Sequence, residues 1–374
     1  MITSTNTAPL GARTHIDVRA IERELSQLWQ RIAEGDDGEP GHAVTRTCAL
    51  NLIVVTRGGR VAERATSTLA KLTARHPNRA IVISAAPGSQ KDVLDAWAQL
   101  HCLMPAPGRP QVCGEQISIE AHGPAVDRVP GTILPLLVAD VPVMLWWPLG
   151  EPFDDPRFTR FADLVDRAIV DSSTFDAPEA GLARMAGWLA SETRISDLSW
   201  SRLTPWRELT AQFFDAPAQA AHLAEIRRVT VHYEARPGQS PDPSQALLLV
   251  GWLASRLGWR ATTRHDAGTI RLTDRTGSAI LVELRQAEPK DDALDRLAAL
   301  ELDCARGRFS VARDDEPDCA VARAEIAGRP PLVRRVRLER LDEAGLLAEE
   351  LRLLGRDQTF EEALRFAASV ASSQ

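Results

Sequence analysis

Ile16, Ile21, Leu25, Leu28, Trp29 and Ile32 fall at the spacing of one helix face, with Arg23, Glu24, Gln27 and Arg31 between them. That pattern predicts an amphipathic helix. The run GDDGEPG (35–41) predicts a loop. TRTCALNLIVVT (45–56) is almost wholly apolar and β-branched, the pattern of a parallel strand covered on both faces. Gly58-Gly59 breaks it. Val61, Ala65, Leu69 and Leu72 then predict a helix that stops at His76-Pro77-Asn78, before a second buried strand over 80–86. Together these make a βαβ unit. Two further strands are predicted over 93–104 and 111–120, joined by PAPGRP, a turn by composition. A short helix over 125–137, buried strands over 141–147 and 167–173, and helices after Pro178 and from Pro205 into Phe214 continue the alternation.

The pattern changes near Asp215 to Pro217. A strand over 227–235 and a strongly apolar helix over 246–259 are followed by short strands at 261–264, 268–273, 279–285, 298–303, 307–313, 319–326 and 332–339. Consecutive strands with short turns predict an antiparallel sheet, and two helices, 343–354 and 359–371, close the chain. The expected architecture is an α/β N-terminal domain with a largely parallel sheet over 16–215. An α+β C-terminal domain with an antiparallel sheet follows over 216–374, and residues 1–15 are expected as a mobile tail.

The length of 374 residues fits two domains, and 44% hydrophobic with 25% charged residues excludes global disorder. A net charge of -7 gives no overall attraction to polyphosphate, so no nucleic-acid partner is expected. No membrane partner is expected either. The most apolar stretch, 129–147, is interrupted by Pro130, Pro135, Asp140 and Pro142, and a span needs about 20 apolar residues. The N-terminus lacks the basic and apolar segments of a secretory signal. Cys48, Cys102, Cys113, Cys304 and Cys319 are odd in number and form no C-x-x-C pair, which fits a reducing cytoplasm and no zinc ribbon.

No dinucleotide, Walker, zinc-protease, EF-hand or nucleophile-elbow motif occurs, so no catalytic residue, metal or cofactor is assigned. The strand to Gly58-Gly59 to helix junction could hold an anion, or be a plain connection. His101 and Cys102 are adjacent on a strand and so face opposite sides, which argues against a thiolate–imidazolium couple. Cys102 and Cys113 flank PAPGRP and would meet as a redox-sensitive pair if their strands form a hairpin in register; otherwise they are buried, inert thiols. In LVRRVRLER, Arg335 and Arg337 alternate with Val336 and Leu338, giving either a solvated strand face or a docking surface for an acidic partner.

Nine Trp beside a single Tyr is unusual. Trp146-Trp147-Pro148 ends a strand, where adjacent indoles must face opposite sides, so at least one is expected to leave the helix-covered face. Trp200, Arg202, Trp206 and Arg207 cluster in DLSWSRLTPWR. Trp and Arg are the commonest interface anchors, and core packing is the competing use.

ALNLIVVT (49–56), CGEQISI (113–119), ILPLLVADVPVMLWWP (133–148) and DLSWSRLTPWRELTAQFFD (197–215) closely resemble the glucose-6-phosphate dehydrogenase assembly protein (OpcA) family. The resemblance covers most of the first domain and is weaker in the second. It implies a non-catalytic cytoplasmic partner that promotes assembly or activation of the dehydrogenase opening the oxidative pentose phosphate pathway. Trp147, Trp200, Arg202, Trp206 and Arg207 are the expected contacts, and Cys102 and Cys113 the possible redox residues. Members from photosynthetic bacteria are associated with redox regulation, and the resemblance implies a doubled cysteine where this chain has Cys113-Gly114. The alternative is a phosphosugar- or nucleotide-binding enzyme whose site lies where the parallel strands of the first domain end.

Overall fold

The computed structural model describes residues 5–7, 14–15, 18–34, 44–73, 75–103, 111–235, 241–265, 268–288, 297–316 and 318–371. The loops expected over 35–41 and 105–110 lie outside the described residues. In chain order the elements begin β1 (Thr5–Thr7), β2 (Thr14–His15), α1 (Val18–Glu34), β3 (Val44–Arg46), β4 (Leu50–Thr56), α2 (Gly59–Leu72), β5 (Asn78–Ala86), β6 (Val93–Leu103) and β7 (Gln111–His122). They continue with α3 (Val129–Ile133), β8 (Val143–Trp146), α4 (Pro156–Ala162), β9 (Arg167–Val170), α5 (Pro178–Gly187), β10 (Arg194–Asp197), α6 (Leu198–Arg202), α7 (Thr204–Gln212) and α8 (Pro217–Ala220). The last group is β11 (Ile226–Glu234), α9 (Ser244–Leu257), β12 (Arg260–His265), β13 (Thr269–Thr273), β14 (Ala279–Ala287), β15 (Leu297–Cys304), β16 (Gly307–Arg313), β17 (Cys319–Ile326), β18 (Leu332–Arg337), α10 (Glu343–Leu351) and α11 (Gln358–Ala371).

The chain divides into two compact units. The first is Met1–Asp171, Ser191–Ser196 and Asp342–Leu354; the second is Ser172–Ala190, Asp197–Leu341 and Gly355–Gln374. The main path of the first sheet runs β1-β6-β7-β5-β4-β8-β9-β10, with β2 on β6 and β3 on β7. Its middle is parallel: β5 pairs with β7 and β4, and β8 with β4 and β9. Every residue of β4 is buried, as expected of a strand covered on both faces. Thr5–Thr7 and Thr14–His15, expected within a tail, pair antiparallel with β6. The strand expected over 45–56 is two strands, β3 on β7 and β4 at the centre. The helix expected over 125–137 is three short pieces, because Pro124, Pro130 and Pro135 each remove a backbone donor.

The second sheet runs β12-β13-β14-β11-β15-β16-β17-β18 and is mostly antiparallel. Period-two alternation buries Leu300 and Leu302 of β15 beside Val311 and Phe309 of β16. One pair breaks the expected pattern: β11 lies parallel to β14. The intervening α9, β12 and β13 supply the crossover that a parallel pair requires. No helix among the described residues is long and apolar enough to cross a membrane.

Candidate functional site

The segment with the most distinctive sequence, 197–215, folds as two short helices, the first of them capped by a carboxylate. Asp197 caps α6 by accepting from the Ser199 amide at 3.0 Å, and it also accepts from the Ser172 amide at 2.9 Å and the Ser172 hydroxyl at 2.6 Å. Trp200, on α6, donates through Nε1 to Asp357 Oδ2 at 2.8 Å, and Asp357 Oδ1 caps α11 by accepting from the Phe360 amide. The Trp200 ring centroid lies 5.7 Å from that of Phe360, and the Arg207 guanidinium stacks over the Trp200 ring at 3.6 Å from its centroid. Arg207 also donates to Thr204 Oγ1. On α7, Trp206 lies 5.5 Å from the Arg313 guanidinium, which donates through Nε to the Leu297 carbonyl.

Of the side chains expected as partner contacts, all but Arg207 are buried within the chain. Trp200 is 3% exposed, Trp206 0% and Arg202 8%; only Arg207 is half-buried. Trp147 belongs to the other unit and is 2% exposed, packed edge-on against Phe158 at 5.4 Å. Trp146 is buried as well, so neither indole of the pair reaches solvent. Both faces of this sheet are covered, and opposite orientation therefore sends both rings into protein. The structure brings Trp200 and Arg207 together and places Trp206 against Arg313; it uses these aromatic and guanidinium groups to hold helices in place.

The ends of the parallel strands form a cavity of about 690 Å³ lined by Arg57, Gly58, Gly59, Ser84, Trp97, Glu120 and His122, among others. β4 and α2 meet there through Gly58 and Gly59 at φ +79° and +55°, a left-handed path that glycine follows without strain. Thr56 Oγ1 fixes the turn by accepting from the Gly58 amide and donating to the Ile83 carbonyl. The glycines are visible in the sequence. Ser84, Trp97, Glu120 and His122 are not singled out there, since only the strand order reveals that they end, or lie beside the ends of, adjacent strands.

β6 and β7 form the antiparallel hairpin in the register that sets Cys102 opposite Cys113, and the two are joined in a disulfide with a Cα–Cα distance of 4.1 Å. His101 points away from the sulfur, with Nε2 2.8 Å from Gln116 Oε1 and 3.1 Å from Gln99 Nε2. At Gly114, where the resemblance implies a second cysteine, a Cβ would lie 2.6 Å from Thr73 Oγ1, a buried side chain bonded to the Leu69 carbonyl. Of the other thiols, Cys304 is pushed up to about 12 by burial and by Glu225 and Asp303, so it is no ready nucleophile at neutral pH.

Burial lowers the pKa of His101, only partly opposed by its hydrogen bond to Gln116, and burial lowers His76 in the same unit. A depressed folded pKa means that the unfolded chain takes up protons first. Stability is therefore complete above the unfolded value of about 6.5 and falls as pH drops through it toward the folded values. Urea midpoints should decline between pH 8 and pH 5, and His101→Gln should flatten that decline. Equal midpoints for the native chain at both pH values would contradict the burial cost.

Two units, one α/β with a mostly parallel sheet and one α+β with a mostly antiparallel sheet, define the class of fold. The chain belongs to the glucose-6-phosphate dehydrogenase assembly protein family. Residues 50–187 match the family described as glucose-6-phosphate dehydrogenase subunit N-terminal domain, and residues 193–364 match the corresponding C-terminal domain. A proposed OxPP cycle protein OpcA of Nostoc punctiforme is 29% identical over 369 residues, covering 94% of this chain and 75% of that relative. Its namesake in Synechocystis is 34% identical over 50% of this chain and 38% of its own length. The namesake in Synechococcus elongatus is 27% identical over 68% of this chain and 58% of its own length. The chain thus spans less than two thirds of the latter two. Among solved structures, a mutant of KijD10, a 3-ketoreductase from Actinomadura kijaniata, is similar at a TM-score of 0.48 and 12% identity over 86% of this chain and 95% of that one. An aldose-aldose oxidoreductase from Caulobacter crescentus is similar at 0.43 and 12% identity over 86% and 97%.

Proposed function

We propose that this chain is a non-catalytic cytoplasmic partner of glucose-6-phosphate dehydrogenase that favours the enzyme's active oligomer. The observation that carries the reading is the collinear match of both halves to domains described as parts of a dehydrogenase subunit. A tenfold preference for the active oligomer amounts to about 1.4 kcal/mol of coupling, inside the usual allosteric range. The Cys102–Cys113 disulfide adds a redox input to the same reading, because breaking it would loosen the end of the β6–β7 hairpin. The test mixes purified chain and dehydrogenase, with the chain either oxidised or reduced, and follows co-elution and the substrate dependence of the enzyme. Co-elution with a lowered half-saturation is expected. No co-elution and an unchanged substrate curve in both redox states would sink the proposal.

A second reading is favoured by the strand-end cavity. Its Trp97 ring, Glu120 and His122 side chains and Arg57 offer a stacking surface, hydroxyl partners and a cation, which suits a phosphosugar or nucleotide. Titration calorimetry with phosphosugars and nucleotides, together with turnover assays on the chain alone, decides it: turnover establishes an enzyme, and no heat with any compound removes the reading.

A further inference from the structure

β18 is the last strand of the second sheet, and its far edge pairs with no other strand among the described residues. Five of its six residues are exposed, with Leu332 at 43% and Val333 at 50%. Its pairing with β17 places Leu332, Arg334 and Val336 beside the buried Ala324, Ala322 and Ala320, on the core-facing side of the sheet, beyond the last covered strand. Val333, Arg335 and Arg337 lie on the opposite face beside Arg323, Val321 and Cys319. Arg335 is already matched by Asp314 at 2.6 Å and Glu316 at 2.8 Å. Arg337 reaches Glu339 only at 3.7 Å, and Arg334 makes no ion pair among the described residues.

An open strand edge offers a row of backbone donors and acceptors to another strand. The charge pattern selects the occupant. In a two-fold antiparallel pairing of β18 with a second copy, opposed residues share a face, so the central registers set Arg334 opposite itself or Arg335 opposite itself, and like charges directly opposed destabilise a sheet. The same guanidinium groups attract a strand bearing carboxylates, while Leu332 and Val333 offer apolar area on either face. We propose that β18 is a docking edge that receives an acidic, extended segment of a partner protein as an additional strand, with carboxylates set against Arg334 and Arg337. This rests on the reading of the chain as a partner of the dehydrogenase, which would supply that segment.

The experiment has two arms on the full chain. In the first, affinity for the dehydrogenase is compared among the native chain, R334E/R337E on β18, and R23E/R31E, a charge-matched control on α1. The β18 variant should bind roughly tenfold more weakly or worse, with a smaller salt dependence, and the control should match the native chain. In the second arm, hydrogen exchange of residues 332–337 is measured with a valine hexapeptide carrying two glutamates three positions apart, one for each face of the strand, which should slow it in the native chain and not in R334E/R337E. Equal dehydrogenase binding by native chain and β18 variant overturns the docking edge and leaves the partner reading standing. Absence of dehydrogenase binding by the native chain overturns the partner reading, and the peptide arm then decides the edge: protection of 332–337 supports it, and no protection overturns it.

Discussion

Trp206→Ala is expected to destabilise the protein by about 3–5 kcal/mol, the usual cost of deleting a large aromatic from a close-packed core. The indole is fully buried, on the α7 face that also buries Thr210, and its Nε1 finds no hydrogen-bond partner among the described residues. The loss is therefore one of apolar contact and of the Arg313 stacking, with no hydrogen bond removed. Trp206→Phe should recover a large part of it. Urea unfolding of the three proteins measures the differences. The same series separates a core residue from a docking residue: any loss of dehydrogenase binding in Trp206→Ala should track its unfolded fraction and return under conditions that restore folding. A Trp206→Ala chain as stable as the native one, with binding abolished, would mean that the indole meets the partner after all.

That contrast marks where sequence reading stops. The helix over 18–34 and the strands from 269 to 326 were legible because burial is one-sided there, and one-sided burial imprints a period of 3.6 or 2 on the sequence. Trp200, Arg202 and Trp206 carry no such signal. A Trp beside an Arg looks the same whether the pair anchors a partner or, as with Arg207 over Trp200, clamps two elements of one chain. Long-range pairings are equally silent. α10 lies near the C-terminus yet belongs to the first unit, where Lys71 of α2 pairs with Asp342 just before it at 2.9 Å. The parallel pairing of β11 with β14 depends on a crossover, and the hairpin-like spacing of the strands around it conceals that. The Cys102–Cys113 register was legible only as a condition, because strand pairing sets which residues face each other and local composition does not.

Glu115→Gln is expected to cost about 3–5 kcal/mol, because it leaves a buried guanidinium without its counter-charge. Parallel register places Arg79 of β5 beside Glu115 of β7, and Arg79, 5% exposed, donates to Glu115 Oε2 at 2.7 Å. It also donates to Glu22 Oε1 and to the Leu136 carbonyl. The other carboxylate oxygen of Glu115 accepts from Trp29 Nε1 at 2.7 Å and Arg46 Nε at 2.8 Å, so one side chain ties α1, β3, β5 and β7 together. Burial works against the charge on Arg79, yet the carboxylates of Glu115 and Glu22 outweigh it and raise the guanidinium above its ordinary value. Glutamine keeps the shape and loses the charge, and Glu22 is too exposed to replace it. Arg79→Met together with Glu115→Leu should be far less damaging than Glu115→Gln, since an apolar pair leaves no buried ion behind. A double variant at least as unstable as Glu115→Gln would show instead that the pair's worth lies in its hydrogen bonds to α1, and Trp29→Phe would then reproduce a measurable share of the loss.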